Sequence, residues 1–313
     1  RNGRPDEGNL MKLLDRIQPW STTGIGSLPF SDPAYAAGHV DQSYDIPFCP
    51  QLPRVEGDMV SEWLGSDPGR CGWSPERDRQ RPLAWKEFIG RLDRRRPEHG
   101  IVKLQVTGPA TLAYALERRG SGEWPRSETL EMAREISTWL AANVADRLAV
   151  LAERELETIL LIDEPAMSVF GTEGVASIWD PLRMVAPAWG FHFCCKVPWG
   201  LVNSTGPDLV SFDLCLEPVD ADAATALNEV LAKGGKIAWG AVSSQHSEDP
   251  VHAIERLRTA LSKVPAAATR SLITASCGTG GMSPAREFEV AAALSEVSHT
   301  MRLDLSRQAD MAA

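Results

Sequence analysis

The sequence predicts an α/β protein built as a single (β/α)8 barrel, with a short N-terminal extension over residues 1–20 and the barrel over 21–313. Three observations carry this. Short apolar runs alternate with longer helical patterns eight times along the chain. The runs are continuously apolar, which fits parallel strands buried on both faces. The length of 313 residues suits one barrel of this class.

In chain order, the polar first twenty residues end in Pro19-Trp20 and read as an extension or a helix packed on the barrel. Strands are expected at 23–27, 45–49, 101–106, 158–163, 190–194, 209–213, 236–240 and 271–276. The segments between them carry helical patterns, clearest at 127–153, 221–233, 250–263 and 284–302. Residues 65–81 are rich in Gly, Pro and charge and read as a long loop over the barrel mouth. An open doubly wound sheet would want a Gly-rich dinucleotide turn after its first strand. Gly24-Ile25-Gly26-Ser27-Leu28-Pro29 does not supply it, because Pro29 stands where the third glycine belongs.

Composition narrows the function classes. A hydrophobic content of 43% and a charged content of 24% suffice for an ordinary core. The net charge of -10 argues against nucleic acid and anionic membrane as partners. Arg91, Arg94, Arg95 and Arg96 are too local to alter that and read as a solvated helix end. The spacing of Cys49, Cys71, Cys194, Cys195, Cys215 and Cys277 does not resemble a disulfide scaffold, so reduced thiols in a cytoplasmic setting are expected. No apolar run is long enough to span a membrane, and the start shows no secretory signal.

The chemistry concentrates at strand ends. His192 and Cys194 are two apart in an apolar strand, so they point to the same side. Cys277 ends the last expected strand. One His and two Cys suit zinc, with a position left open for chemistry. Ser27, Asp163-Glu164, Asp213 and His246 also fall at or just after strand ends, the end where a barrel does its chemistry. Taken singly, each Cys reads as a small core residue and His192 as a hydrogen-bonded side chain; their convergence favours a metal site. Cys195 points away from Cys194 and is expected to be structural, like Cys49 and Cys71. Cys215 shares a face with Asp213 and is either core or an alternative fourth ligand. Of Asp163 and Glu164, one is expected to hold a substrate amine or hydroxyl and the other to cap the next helix.

Taken in order, several segments resemble the catalytic barrel of cobalamin-independent methionine synthase. That family sits in a larger group with uroporphyrinogen decarboxylase and corrinoid-dependent thiol methyltransferases. The segments are Ile25-Gly26-Ser27-Leu28-Pro29, Asp58-Met59-Val60, Thr107-Gly108-Pro109-Ala110-Thr111, Ile162-Asp163-Glu164-Pro165-Ala166, His192-Phe193-Cys194, the run 208–213, His246-Ser247 and Cys277-Gly278. The resemblance implies Zn2+ held by His192, Cys194 and Cys277, with Asp213 in place of the family's usual Glu. It implies homocysteine contacts from Ile25, Ser27 and Asp163, and places His246 near the reacting centre. The family's further substrate Glu falls on Ser61, with Glu62 next to it as the substrate-binding candidate.

Two departures bear on the methyl donor. The folate-holding aromatic falls on Ala115, beside Tyr114, and the folate-contacting Glu falls on Val169. The family's second, N-terminal barrel is not among these 313 residues. Both point to methylcobalamin, or a methylated corrinoid protein, as donor in place of methyl-folate. The expected reaction is methyl transfer to the thiol of homocysteine. An ordinary thiol titrates near ~8.5, and metal coordination removes its proton. The alternatives are methyl transfer to another small thiol such as coenzyme M, or a non-catalytic zinc-binding barrel. The decarboxylase branch needs no metal, so Cys194 and Cys277 would be idle in it.

Overall fold

The computed structural model describes residues 13–64, 82–119 and 124–312. Seven strands among them form one all-parallel sheet: β1 (Ser21–Thr22), β2 (Ile101–Thr107), β3 (Glu157–Asp163), β4 (Ala188–Phe193), β5 (Leu209–Asp213), β6 (Lys236–Val242) and β7 (Ser271–Ala275). Their order is β1-β7-β6-β5-β4-β3-β2. Strands adjacent in sequence from β2 onward are neighbours in space, and the sheet curls so that β1 and β2 form its two edges.

The sheet has seven strands, not the expected eight, and its ladder is not closed. Residues 45–49 form no strand. Pro47 within that segment and Pro50 just after it lack the N–H groups a ladder needs. It still lies between the two edges: Ile46 N donates to Thr22 O at 3.0 Å, and Lys103 N donates to Pro47 O at 2.9 Å. Isolated parallel bridges join Phe48 to Lys103 and Ser27 to Gln51. The first strand is also displaced from 23–27 to Ser21–Thr22. Gly26 has φ +139°, which takes the chain out of strand geometry there. The loop expected at 65–81, with Cys71 in it, lies outside the described residues.

Alternation along each strand divides the core in two. Val102, Leu104, Val106, Leu160, Ile162, Phe191, Phe193, Val210, Phe212, Ile237 and Trp239 pack outward in the large cluster shared with the helices. Ile101, Ile159, Leu161, Ala188, Leu209, Ala238 and Leu272 face inward and form a second cluster with Leu13, Leu14 and Ile17. The described end of the N-terminal extension is therefore an apolar plug under the start of the strands.

The helices lie close to expectation, at Arg126–Ala152, Ala221–Ala232, Pro250–Lys263 and Pro284–Ala312. Two begin with a capping carboxylate. Asp220 Oδ1 accepts from Ala223 N, and Asp249 Oδ1 accepts from Val251 N, each at 2.9 Å. The last helix runs ten residues past its expected end at 302. No helix among the described residues is long and apolar enough to cross a membrane.

Candidate metal centre

His192 is the last inward residue of β4 and is almost wholly buried. Its Nδ1 lies 3.0 Å from Ser211 Oγ on β5. With that nitrogen engaged, Nε2 is the one available to a ligand, and it is buried with no hydrogen-bond partner among the described residues. Cys194 follows two residues on, just past the end of β4. Cys277 follows β7 by two residues. The ligand atoms of His192, Cys194 and Cys277 lie within 4.8 Å of one another. A tetrahedral zinc with bonds of ~2.0–2.3 Å needs ligand atoms roughly 3.3–3.8 Å apart. The donor set and its spacing therefore fit such an ion with small side-chain adjustment. Ser211 is the kind of outer partner that fixes the ring and tautomer of a ligating His.

The two thiols share one proton unequally. Cys277 is pushed down to about 4, first by the hydrogen bond from Cys194 and further by His192, against the effect of burial. Cys194, as the donor, is pushed well above the ordinary thiol range, and burial adds to this.

Cys277 is braced on both sides. Ser276 N donates to Val242 O at 2.8 Å, and Ser244 N donates to Ser276 Oγ at 3.1 Å. Thr279 N donates to Ser27 O at 2.9 Å. Thr279 Oγ1 donates to the buried Glu287 carboxylate, which also meets His39 Nε2 at 2.8 Å and accepts from Tyr44 OH at 2.6 Å. A Cβ at Gly278 would sit 2.0 Å from Ser27 Oγ, so only glycine lets the Ser27 hydroxyl reach the residue next to Cys277.

Asp163 ends β3 directly opposite His192 in the parallel register. It is buried, and burial pushes its carboxyl up to about 7 against the pull of His192 and Lys103. Gln105 Nε2 donates to its Oδ1, and Lys103 Nζ donates to Gln105 Oε1 and, at 3.3 Å, to Ile25 O. Burial pushes the Lys103 amine down to about 7, with Asp163 opposing.

Glu164 does cap a helix, but one two helices back in the chain and not the next. Its oxygens accept from Ala110 N at 3.1 Å, Thr111 N at 2.8 Å, Thr111 Oγ1 at 2.7 Å and Trp179 Nε1 at 2.8 Å. The carboxylate thus sits at the start of helix Pro109–Arg119, which follows the neighbouring strand β2. A Cβ at Gly108 would lie 2.2 Å from Glu164 Cδ, so the approach requires glycine. Burial pushes Glu164 up to about 7, against these hydrogen bonds.

The remaining expected residues are dispersed around this centre. Asp213 ends β5 and is not in the three-residue group. Its Oδ1 accepts from Cys215 N at 2.8 Å and Leu216 N at 3.1 Å, closing the turn that follows the strand. Burial raises its carboxyl, and the charges of Cys277 and His192 reach it. Cys215 is exposed, with Sγ 3.5 Å from Ala241 O. Cys195 faces Glu164 O at 3.8 Å, away from the group. Glu62 accepts from Gln51 Nε2 at 2.6 Å. His246 is exposed on the loop after β6. Arg286 clamps that loop by donating to the carbonyls of Ser243, Ser244 and His246. Ala115 packs against the core, while Val169 is 62% exposed.

Lys103, Gln105 and Ser211 join the site without being expected from the sequence. Their signal is a polar residue at inward positions of strands otherwise read as continuous apolar runs.

No protein-family model matches the chain, and no curated protein matches it. Solved structures do share its fold. A B12-independent methionine synthase from Shewanella sp. W3-18-1 is 17% identical, with 74% of this chain and 70% of that chain covered and a TM-score of 0.53. A methyltransferase from Methanosarcina mazei is 15% identical, with 95% of this chain and 98% of that chain covered and a TM-score of 0.62. At these identities the likeness is one of fold alone.

Proposed function

We propose that this protein is a zinc-dependent methyltransferase that moves a methyl group to the thiol of homocysteine, with methylcobalamin or a methylated corrinoid protein as donor. The observation that carries the reading is the His192, Cys194 and Cys277 group with Asp163 directly opposite His192. Three protein ligands leave one position for a substrate sulfur, the pattern of a reactive zinc site. The two structures named for methyl transfer or methionine synthesis share this fold, which agrees with the reading.

Zinc bound there supplies acidification: a thiol that joins its ligands loses its proton at neutral pH. The chain's own groups do the rest. Asp163 accepts hydrogen bonds from the substrate ammonium, and Ser27 with the Ile25 backbone holds the carboxylate end. Glu62 borders the same side through Gln51. These contacts aim the sulfur along one line, and orientation of this kind accounts for much of a bimolecular rate. Asp213 stands near enough to feel the ligands' charge and serves as the outer carboxylate of the centre. His246 meets the donor at the mouth. Ala115 and Val169 offer neither a ring to stack on nor a charge for a folate, which favours the corrinoid donor.

The test is metal content followed by donor choice. The purified protein should hold about one zinc per chain, and Cys277→Ser should lose most of it while keeping its circular dichroism. Methylcobalamin should then support methionine formation better than methyltetrahydrofolate. Unchanged zinc in Cys277→Ser removes the central claim, and turnover with methyl-folate alone reverses the donor assignment.

A further inference from the structure

Beneath Asp163 lies a line of polar groups that the catalytic reading does not use. Lys103 and Gln105 sit on the inward face of β2, two residues apart, one layer apart in depth. Both are buried. Lys103 Nζ, which has hydrogens to give, meets two carbonyl-type oxygens, Ile25 O and Gln105 Oε1. Gln105 Nε2 then meets Asp163 Oδ1.

With Asp163 ionised and Lys103 protonated, donor and acceptor chemistry allows this arrangement in one direction only. Were the Gln105 amide reversed, Oε1 would face a carboxylate oxygen, acceptor against acceptor. Its NH2 would face the lysine amine, donor against donor. The lysine therefore sets the amide, and the amide sets the carboxylate. Asp163 has one oxygen, Oδ1, committed to Gln105, while Oδ2 has no hydrogen-bond partner among the described residues. A carboxylate so held presents an acceptor to whatever occupies the site and offers it no donor.

We propose that Lys103 and Gln105 are positioning residues which, by holding Asp163 as an acceptor, make a cationic amine on the thiol substrate a requirement of this site. The inference rests on the reading that Asp163 meets the substrate amine. It adds that the selectivity is set one layer below the residue that makes the contact. Neither Lys103 nor Gln105 is a metal-ligand candidate, so zinc content is independent of the relay.

The experiment is calorimetric titration of the zinc-loaded protein with two thiols: homocysteine, and 4-mercaptobutanoate, which lacks only the amine. Lys103→Met and Gln105→Met are the test variants and Asp163→Asn the reference. Both test variants should bind homocysteine about tenfold to a hundredfold more weakly, the range for losing a well-placed bond to a charged group. They should bind 4-mercaptobutanoate as the wild type does and keep full zinc. Gln105→Met removes no charge, so it carries the test if Lys103→Met does not fold. Suppose Asp163→Asn discriminates between the two thiols but the test variants weaken both equally or neither. The relay is then wrong while the reading of Asp163 stands. If Asp163→Asn does not discriminate, or the wild type binds both thiols alike, the amine reading fails and the relay with it.

Discussion

At the scale of single residues, the centre depends on a hydrogen bond that no ligand list would include. Ser211 Oγ holds His192 Nδ1 at 3.0 Å, leaving Nε2 as the nitrogen available to a metal. Ser211→Ala keeps all three ligands and frees the ring to turn. Zinc affinity should fall by about 10- to 100-fold, the usual cost of losing such a partner, and the metal-free protein should lose about 1–3 kcal/mol for the buried Nδ1 left without a partner. A competitive chelator titration reads this directly, and wild-type affinity in Ser211→Ala would show that the ring is held by packing alone. The meeting of His192, Cys194 and Cys277 was legible in the sequence because strand periodicity is rigid: His192 and Cys194 share a side, and Cys277 arrives at the same end. Ser211 was not legible, since a serine in an apolar strand carries no mark of its cross-strand neighbour. Lys103 was masked differently. A lysine in a short apolar run reads as a break in the pattern, and only the closed hydrogen-bonding line to Gln105 and Asp163 gives it a place.

Between elements, Glu164 ties strand β3 to the helix that begins at Pro109. Four donors converge on its two oxygens. Glu164→Gln keeps the volume but turns one acceptor into a donor, so the two donors that met that oxygen face an NH2 and at least one of them is left unsatisfied in a dry site. A buried unsatisfied group costs about 1–3 kcal/mol, and urea unfolding should show a loss of that size. Zinc content should hold, because none of the three ligands touches this carboxylate's donors. A loss below ~0.5 kcal/mol would mean that water replaces the cap. The sequence marked Asp163-Glu164 as a recognition group with a cap, yet pointed the cap at the wrong helix. Capping by residue type is local, whereas this cap crosses between neighbouring β/α units and depends on Gly108 making room. The same distinction runs through the fold. Helices whose start signals are local, as at Asp220 and Asp249, fell where expected. The segment 45–49 did not become a strand because Pro47 and Pro50 withhold the ladder donors, although its apolar residues still occupy the gap between β1 and β2.

Across the whole molecule, the inner face of the sheet is polar at the strand ends and largely apolar where the strands begin, with Lys236 a buried cationic exception. Lys236 opens β6 on the inward side, beneath the plug formed by Leu13, Leu14 and Ile17, and donates to Ile17 O at 3.2 Å. Burial pushes its amine down to about 8; the nearby Arg270 guanidinium adds to this, and Asp15 opposes it. In the unfolded chain the same amine titrates near ~10.4. Between these values the unfolded state holds more protons than the folded one, so stability rises with pH across that window. Below about pH 8 both states are protonated and the burial cost is constant. At ~1.4 kcal/mol per pH unit for one proton, the gain from Lys236 between pH 8 and 10.5 is on the order of 3 kcal/mol. Lys236→Met removes that gain. Other thiols and tyrosines titrate in the same range, so the informative quantity is the difference between wild type and variant at each pH. Urea unfolding should show the variant at its relative best near pH 7, where the buried charge is absent and only the bond to Ile17 O is lost. Its advantage should shrink steadily toward pH 10.5. A difference that stays flat with pH would mean that Lys236 reaches water past the plug, and that the N-terminal segment does not seal this end of the sheet.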